Sequence, residues 1–366
     1  MHTRRTALAA AFLALGFTAS GSVSAANLNY TLYMSEANKT VTVPLYNSSY
    51  IRTFWIEGFT DVSGSAPNIA GVKLTANEGD IVNLTVYNNT SESHGFTLRN
   101  GTAASYGPAA GTPTVVVIPN TTIPANTSKS FSFTAPAAGS YFYYDPTTDA
   151  KTNTLNRSVG MYGAFIVYPP GQTSGSAGSL WTGGPTYKYD YTWVLSDYDK
   201  KLNEAERVGT TAFTGVYKPT YAFINGDFGV HAMKNTLVSP VVNVNDTVAI
   251  RVVNAGTIAH PLHFHGYHGE LVSVNNVPQN RVLEKDVIDV PPMATMDLIF
   301  HIDQKGIYIV HDHTGMMVTQ DGIYAEGMLA EFDVCKKEGG LIADDPHCPI
   351  PTIGVPNSWG GSWGGR

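Results

Sequence analysis

Cysteine is the scarcest chemically useful residue in this chain, because the 366 residues include only Cys335 and Cys348. Two cysteines are too few for a disulfide-rich scaffold. In an oxidising compartment they most simply form one disulfide, which would close a short loop and stabilise the tail by roughly 3 kcal/mol. His347 stands next to Cys348, so a metal role is the alternative, although no other cysteine has ligand spacing.

Charged side chains are also scarce, at 14% of the sequence, and the formal net charge is -7. The chain has no basic stripe for phosphate backbones, which argues against nucleic acid as a partner. Glycine, threonine, asparagine, tyrosine and valine are plentiful, and they favour strands and turns over long surface helices. The composition therefore predicts an all-β protein, and the length predicts two domains of roughly 150 residues each.

Long apolar runs are missing as well. Arg4 and Arg5 precede a short apolar stretch, and a cleavage-type sequence ends at Ala25. A run of about a dozen residues is too short to cross a bilayer, so residues 1–25 are predicted to be a cleaved signal peptide of a periplasmic or extracellular protein. The paired arginines resemble a twin-arginine export signal, with an ordinary secretory signal as the alternative. No later segment is apolar enough to span a membrane.

The rest of the chain divides into two similar halves. Residues 171–186 are rich in Gly, Ser and Thr, a linker composition that separates a first domain at 26–170 from a second at 187–335. Residues 336–366 form a tail with the second cysteine.

The order of elements repeats between the halves. A turn precedes an alternating strand at Ile81–Tyr87 in the first half and within Val241–Val253 in the second. The repetition predicts two copies of one β domain. Lys200–Val208 has the pattern of a short helix.

Histidines are concentrated in the second half, where seven of the eleven fall between 260 and 313. His263 and His265 are two residues apart, as are His311 and His313. Residues two apart on a strand face the same side, so two such pairs on neighbouring strands can surround a metal. Neutral imidazole suits copper, zinc, iron and nickel, and copper binds most strongly among the divalent ions. A purely structural role, as hydrogen-bonded polar side chains, is the alternative, and it suits a lone histidine better than this doubled pattern.

These residues resemble the multicopper oxidase family, whose last domain carries His-x-x-His-x-His-Gly and later His-Cys-His with a downstream methionine or leucine. His260, His263, His265 and Gly266 match the first motif. The resemblance covers nearly the whole chain to about Val334, and it implies two tandem cupredoxin-like domains, each a Greek-key β-barrel or sandwich. It also implies copper as the cofactor, with His260 serving a type 1 copper and the later histidines a type 2 and type 3 cluster.

The second half departs from the family at its central ligand, because Asp312 stands where the family has the type 1 cysteine. A carboxylate is a hard ligand and supplies neither the blue copper bond nor the electron path of a thiolate. His260 and Met328, which aligns with the axial ligand, therefore lack their central partner. No blue copper centre is expected, and Met328 is otherwise a core residue of the last strand.

The first half departs further. Glu92-Ser-His94-Gly95 aligns with the family's His-x-His-Gly, and Tyr144 and Pro146 stand where the second pair of histidines is expected. Five of the eight cluster histidines of the family therefore remain: His94, His263, His265, His311 and His313. Glu92 or Tyr144 can replace a lost imidazole, or serve as an ordinary hydrogen-bonded group.

The sequence thus predicts a metal site of these five histidines, with His260, Tyr144 and Met328 as weaker candidates and Glu92 and Asp312 as candidate proton carriers. By resemblance to two-domain members, a homotrimer would bring His94 of one subunit to the second domain of the next. Three functions remain open. They are copper handling or unusual redox chemistry with a periplasmic redox or copper-transfer partner, a copper-dependent oxidoreductase acting on a small substrate or oxygen, and a degenerate scaffold for protein interaction.

Overall fold

The computed structural model describes residues 24–45, 48–102, 109–149, 153–208, 213 and 215–335. Most of the predicted signal peptide and the whole tail from 336, with Cys348, lie outside these residues. Cleavage of the signal and the Cys335–Cys348 disulfide therefore stay predictions. In the described part of the chain, neither of the two α-helices is long and apolar enough to cross a bilayer.

The first domain consists of two facing sheets. Their strands are β1 (Asn27–Leu45), β2 (Ser48–Thr60), β3 (Leu74–Asn77), β4 (Ile81–Asn88), β5 (His94–Arg99), β6 (Val116–Ile123), β7 (Thr127–Thr134), β8 (Gly139–Tyr144) and β9 (Tyr162–Tyr168). One sheet has the order β2-β1-β4-β7 and the other β3-β9-β8-β5-β6. The alternation predicted for β4 is confirmed, because Val82, Leu84 and Val86 are buried while the residues between them are more exposed. Alternate burial of this kind fills the core between two sheets.

The segment predicted as a linker contains a short hairpin of β10 (Gly178–Ser179) and β11 (Thr186–Tyr187). Leu180 in this hairpin is fully buried and packs against Ala249, Val272 and Ile299 of the second domain. A segment of linker composition is ordered here because Leu180 and Tyr187 of the hairpin are both buried in this cluster.

The second domain repeats the plan of the first. Its strands are β12 (Tyr189–Tyr198), β13 (Tyr221–Ile224), β14 (Val241–Asn243), β15 (Thr247–Asn254), β16 (His260–Phe264), β17 (Gly269–Val274), β18 (Val277–Lys285), β19 (Val287–Val290), β20 (Thr295–His301), β21 (Gly306–Asp312), β22 (Thr319–Gln320), β23 (Ile323–Tyr324) and β24 (Leu329–Cys335). Its two large sheets have the orders β13-β12-β15-β20-β17-β18 and β14-β24-β21-β16-β19. The predicted helix is α1 (Lys200–Val208), and α2 (Gly229–Lys234) is a second helix that the sequence pattern did not indicate.

The duplication extends to strand direction. β1 runs parallel to β4 as β12 does to β15, and β3 runs parallel to β9 as β14 does to β24. Parallel neighbours within two otherwise antiparallel sheets require long crossover connections, as in Greek-key domains. The all-β fold of two cupredoxin-like domains is confirmed.

The two domains share one buried surface. An apolar cluster combines Phe142 and Ile166 of the first domain with Val194 and Phe223 of the second. The hydroxyl groups of Tyr162 and Tyr198 lie 2.6 Å apart across this boundary. Together these contacts fix the domains against each other.

Candidate metal centre

The histidine motifs lie on two neighbouring strands, β16 and β21, whose antiparallel register places His263 opposite His311. Leu262 and Phe264 on β16 point inward and are 0% and 1% exposed, so alternation turns His263 outward. β16 ends at Phe264, and Gly266 has a φ of +74°, a left-handed conformation that a glycine adopts without strain.

Three imidazoles converge on the outer face of this sheet. His263, His265 and His311 each offer a nitrogen within 4.8 Å of the others. Nδ1 of His263 lies 3.2 Å from Nε2 of His311, and Nε2 of His265 lies 3.1 Å from the same atom. Nitrogens bound to one ion at about 2.0 Å are separated by about 2.9 to 3.3 Å in square or tetrahedral geometry. The distances of His263 and His265 from His311 therefore match those of ligands on one ion.

The backbone orients His311 for this role. Its Nδ1 lies 2.9 Å from the carbonyl oxygen of Asp312, an arrangement in which Nδ1–H donates and Nε2 keeps its lone pair. Histidine ligands commonly have their second nitrogen held in this way, which fixes the tautomer and the ring direction.

Two of the three converging imidazoles, those of His263 and His265, have a lowered pKa. Burial, and then the neighbouring imidazoles, lower the pKa of both His263 and His265. A histidine must be neutral to bind a metal, so a lowered pKa favours binding at neutral pH.

His313 lies at the exposed rim of the cluster, with its ring centroid 5.1 Å from that of His263. Beside His311 and His313 is a cavity of about 150 Å³ with a largely apolar lining that includes Met233, Val318 and Leu329.

The candidate type 1 ligand His260 lies on the opposite, buried side of the strand. Its Nδ1 is 2.7 Å from a carboxylate oxygen of Asp312, and its Nε2 is 3.2 Å from one of Asp197. All three side chains are 0% exposed. Thr314 donates to the other Asp312 oxygen through its backbone N–H and its hydroxyl.

His260, Asp312 and Asp197 form a buried ion-pair group in which one imidazole faces two carboxylates. Burial alone would lower the pKa of His260, but the hydrogen bonds to Asp197 and Asp312 outweigh it and raise the pKa to about 9. A protonated imidazole has no lone pair for a metal. The Asp312 carboxylate is thus directed to His260, away from the exposed histidines.

The first domain contains the same arrangement. Nδ1 of His94 lies 2.9 Å from Asp145 Oδ2, and Thr147 donates to Asp145 Oδ1 through its backbone N–H and its hydroxyl. Burial lowers the pKa of His94, but the bond to Asp145 and the charge of Glu57 outweigh it and raise that pKa.

The strand register changes the alignment made from sequence. β5 places Thr97 opposite Tyr144, as β16 places His263 opposite His311. His94 therefore corresponds to His260, and the four exposed histidines correspond, in chain order, to Thr97, Arg99, Tyr144 and Pro146. His94 is 3% exposed, which conflicts with its expected role in completing the cluster from another subunit.

The weaker candidates lie apart from the exposed histidines. Met328 is fully buried in the core of the second domain, and Tyr144 packs in the apolar cluster between the domains. Glu92 lies in the turn before β5, where its charge acts on His94. None of the three joins the group of converging imidazoles among the described residues.

Sequence reasoning missed two carboxylates. Asp197, on β12, binds His260, and Asp286, between β18 and β19, has Oδ2 4.0 Å from Nε2 of His263. Both are separated in sequence from their histidines, so the fold brings them together. At 4.0 Å the Asp286 carboxylate makes no hydrogen bond to His263, and its charge acts to raise the pKa of that histidine against the effect of burial.

Comparison with known proteins identifies the family. The family described as Multicopper oxidase matches residues 55–172 and, separately, residues 208–334. No curated protein sequence gives a significant match.

Solved structures support the fold. A blue copper oxidase from Nitrosomonas europaea is 18% identical, with a TM-score of 0.60, over 84% of this chain and 86% of that one. The multicopper oxidase mgLAC is 20% identical, with a TM-score of 0.61, over 89% and 92%. A copper nitrite reductase from Nitrosomonas europaea is 17% identical, with a TM-score of 0.54, over 84% and 94%. Through its two matched domains, the chain belongs to the multicopper oxidase family, and its cofactor is copper.

Proposed function

We propose that the protein is an exported copper-binding member of this family with a histidine-only site and no type 1 blue copper. His263, His265 and His311 would hold one ion, with His313 at the rim. The observation that carries the proposal is the convergence of three imidazole nitrogens within 4.8 Å on a partly exposed sheet face. Its role would be copper handling or redox chemistry other than that of a laccase.

Two buried pairs support the proposal that a blue centre is absent. His260 and His94 each have a carboxylate within 2.9 Å of Nδ1, and both carboxylates are fully buried. Without a thiolate, neither position offers the soft ligand that a blue site needs.

Copper titration with electron paramagnetic resonance tests this proposal. The purified full chain should bind about one copper, show a type 2 signal and lack an intense blue band. His263→Ala with His265→Ala should abolish binding. His301→Ala is the matched control, because His301 is an exposed histidine of the same domain that faces Glu270. An intense blue band would overturn the argument from Asp312, and unchanged copper in the double variant would favour the scaffold function.

The cavity beside His311 and His313 favours a second candidate, a copper-dependent oxidoreductase. A volume of about 150 Å³ holds a molecule about the size of benzene. Bound copper would supply one-electron chemistry beside this cavity, whose lining includes His311 and His313. Met233→Trp should fill the cavity, retain copper and abolish turnover. Copper-loaded protein that reduces neither oxygen nor nitrite, and oxidises neither phenols nor metal ions, would argue against this candidate.

A homotrimer, expected from the resemblance, is part of the proposal. If the second domain of one subunit faces the first domain of the next, Thr97, Arg99 and Tyr144 provide no imidazole there, so the second domain alone supplies the ligands. Sedimentation that finds only monomers would refute the proposed trimer, but it would not contradict the proposed copper site.

A further inference from the structure

Arg157 is a buried arginine of the first domain whose side chain reaches into the second. It lies in a short 3₁₀ helix, Asn156–Val159, and the residue is 7% exposed. Its Nη1 donates to the carbonyl oxygen of Ala255 over 2.6 Å and also to that of Gly256. These two carbonyls begin the turn at residues 255–258, which leads into β16. Arg157 therefore holds the entry to a strand that carries converging histidines.

The first domain holds this short helix in place. Asn156 Nδ2 donates to Asp145 Oδ2 over 2.7 Å, and the same carboxylate oxygen lies 2.9 Å from Nδ1 of His94. All four residues of the helix are buried. The position of the Arg157 guanidinium relative to the second domain therefore depends on how the two domains meet.

Asp197 holds the same turn from within the second domain. Its Oδ2 accepts from the backbone N–H groups of Thr257 at 2.7 Å and Ile258 at 3.3 Å. Nε2 of His260 lies 3.2 Å from the same oxygen. A Cβ on Gly256 would lie 2.0 Å from it, so glycine is what allows the carboxylate to approach the turn this closely. The turn is thus bound by a cation at its carbonyls and by an anion at its N–H groups.

The charges connect the two domains as well. One imidazole faces two carboxylates in the buried group, so His260, Asp197 and Asp312 together carry one net negative charge. Burial lowers the pKa of Arg157, and the charge of Asp197 opposes that effect across the turn. A buried charge is disfavoured unless an opposite charge lies nearby. The first domain thus supplies a positive charge that offsets the excess negative charge in the second.

We propose that Arg157 is a positioning residue that orients the copper ligands from the neighbouring domain, an inference that rests on the proposed copper site. The turn at 255–258 sets the start of β16. Asp312, whose Oδ2 lies 2.7 Å from Nδ1 of His260, stands between His311 and His313 at the end of β21. The network therefore fixes, on their buried side, both strands whose outer faces carry the histidines.

Copper affinity and the electron paramagnetic resonance spectrum of Arg157→Met test the inference. Competition with a chromophoric chelator should show copper binding about tenfold weaker than in the natural chain, as is common when a group that orients metal ligands is removed. The copper hyperfine splitting should change for the same reason. Arg157→Lys keeps the positive charge and should restore most of the affinity and of the spectrum.

Ser140→Ala is the matched control. The Ser140 hydroxyl donates to Asp297 Oδ1 over 2.7 Å across the same domain boundary, outside the network of Arg157. Its loss should lower the melting temperature without changing copper affinity or the spectrum. Equal changes in Ser140→Ala and Arg157→Met would show general loosening of the domain contact and would overturn the inference.

The remaining outcomes separate this inference from the proposed function. Natural affinity and an unchanged spectrum in Arg157→Met would overturn the role of Arg157 without contradicting the copper site, whereas a natural chain that binds no copper would refute both. If Arg157→Met fails to fold, Gly256→Ala decides. Its methyl group keeps every charge but displaces the Asp197 carboxylate from the turn, so the hyperfine splitting should change, and an unchanged spectrum would overturn the inference.

Discussion

The buried pair of His260 with Asp312 and Asp197 makes folding stability depend on pH. A pKa of about 9 in the folded chain, against 6.5 for a free imidazole, corresponds to roughly 3 kcal/mol at about 1.4 kcal/mol for each tenfold change in proton affinity. Because the folded state holds the proton more tightly, this stabilisation is complete below pH 6.5 and lost as the pH rises towards 9.

Urea unfolding of metal-free protein measures the effect, with His260→Gln as the comparison. Glutamine keeps hydrogen-bonding capacity but leaves the two buried carboxylates without a cation, which should destabilise the variant by about 3 to 5 kcal/mol below pH 6.5. The difference in unfolding free energy between natural chain and variant should shrink by roughly 3 kcal/mol above pH 9.

Other groups titrate over part of the same range, including Glu326 with a pKa raised to about 7 by burial. Their contributions are common to both proteins and cancel in the difference. A difference that stays constant from pH 6.5 to 9 would refute the assignment of His260 as a buried cation.

Three further outcomes follow from particular contacts. Burial raises the pKa of Glu331 to about 8, so the contribution of this residue to stability falls as the pH rises from 4.5 to 8. Glu331→Gln mimics the protonated acid and should raise the melting temperature above pH 8. An unchanged melting temperature there would contradict the raised pKa. Phe264→Ala should lower the unfolding free energy in urea by about 3 to 5 kcal/mol because the 1% exposed ring packs against Trp193 and Phe300, whereas a change below about 1 kcal/mol would argue against this packing. Arg157→Met should reduce the unfolding free energy in urea by about 2 kcal/mol, because it removes the donor to the carbonyls of Ala255 and Gly256. Arg207 is exposed, so Arg207→Met should have little effect on the same quantity.

Local pattern was sufficient to predict the second-domain histidines as a group. His263, His265, His311 and His313 depend only on strand alternation and the pairing of two adjacent strands, and both are encoded within short segments. The paired domains and the strand at Ile81 were predictable for the same reason.

Register and long-range contacts were not predictable in this way. His94 was aligned through Gly95, yet the pairing of β5 with β8 shows that it matches His260. Asp197 lies on β12 and Asp286 lies between β18 and β19, and the order of strands in the sheets brings both to their histidines. No spacing in the sequence encodes those neighbours.

The apolar cluster shared by the two domains has a practical consequence for expression. A fragment ending near residue 170 would expose Phe142 and Ile166, and a fragment beginning near residue 187 would expose Val194 and Phe223. Surfaces of this kind promote self-association when their partner is missing. Each half made alone should therefore aggregate, and the two made together from separate genes should rescue each other's solubility.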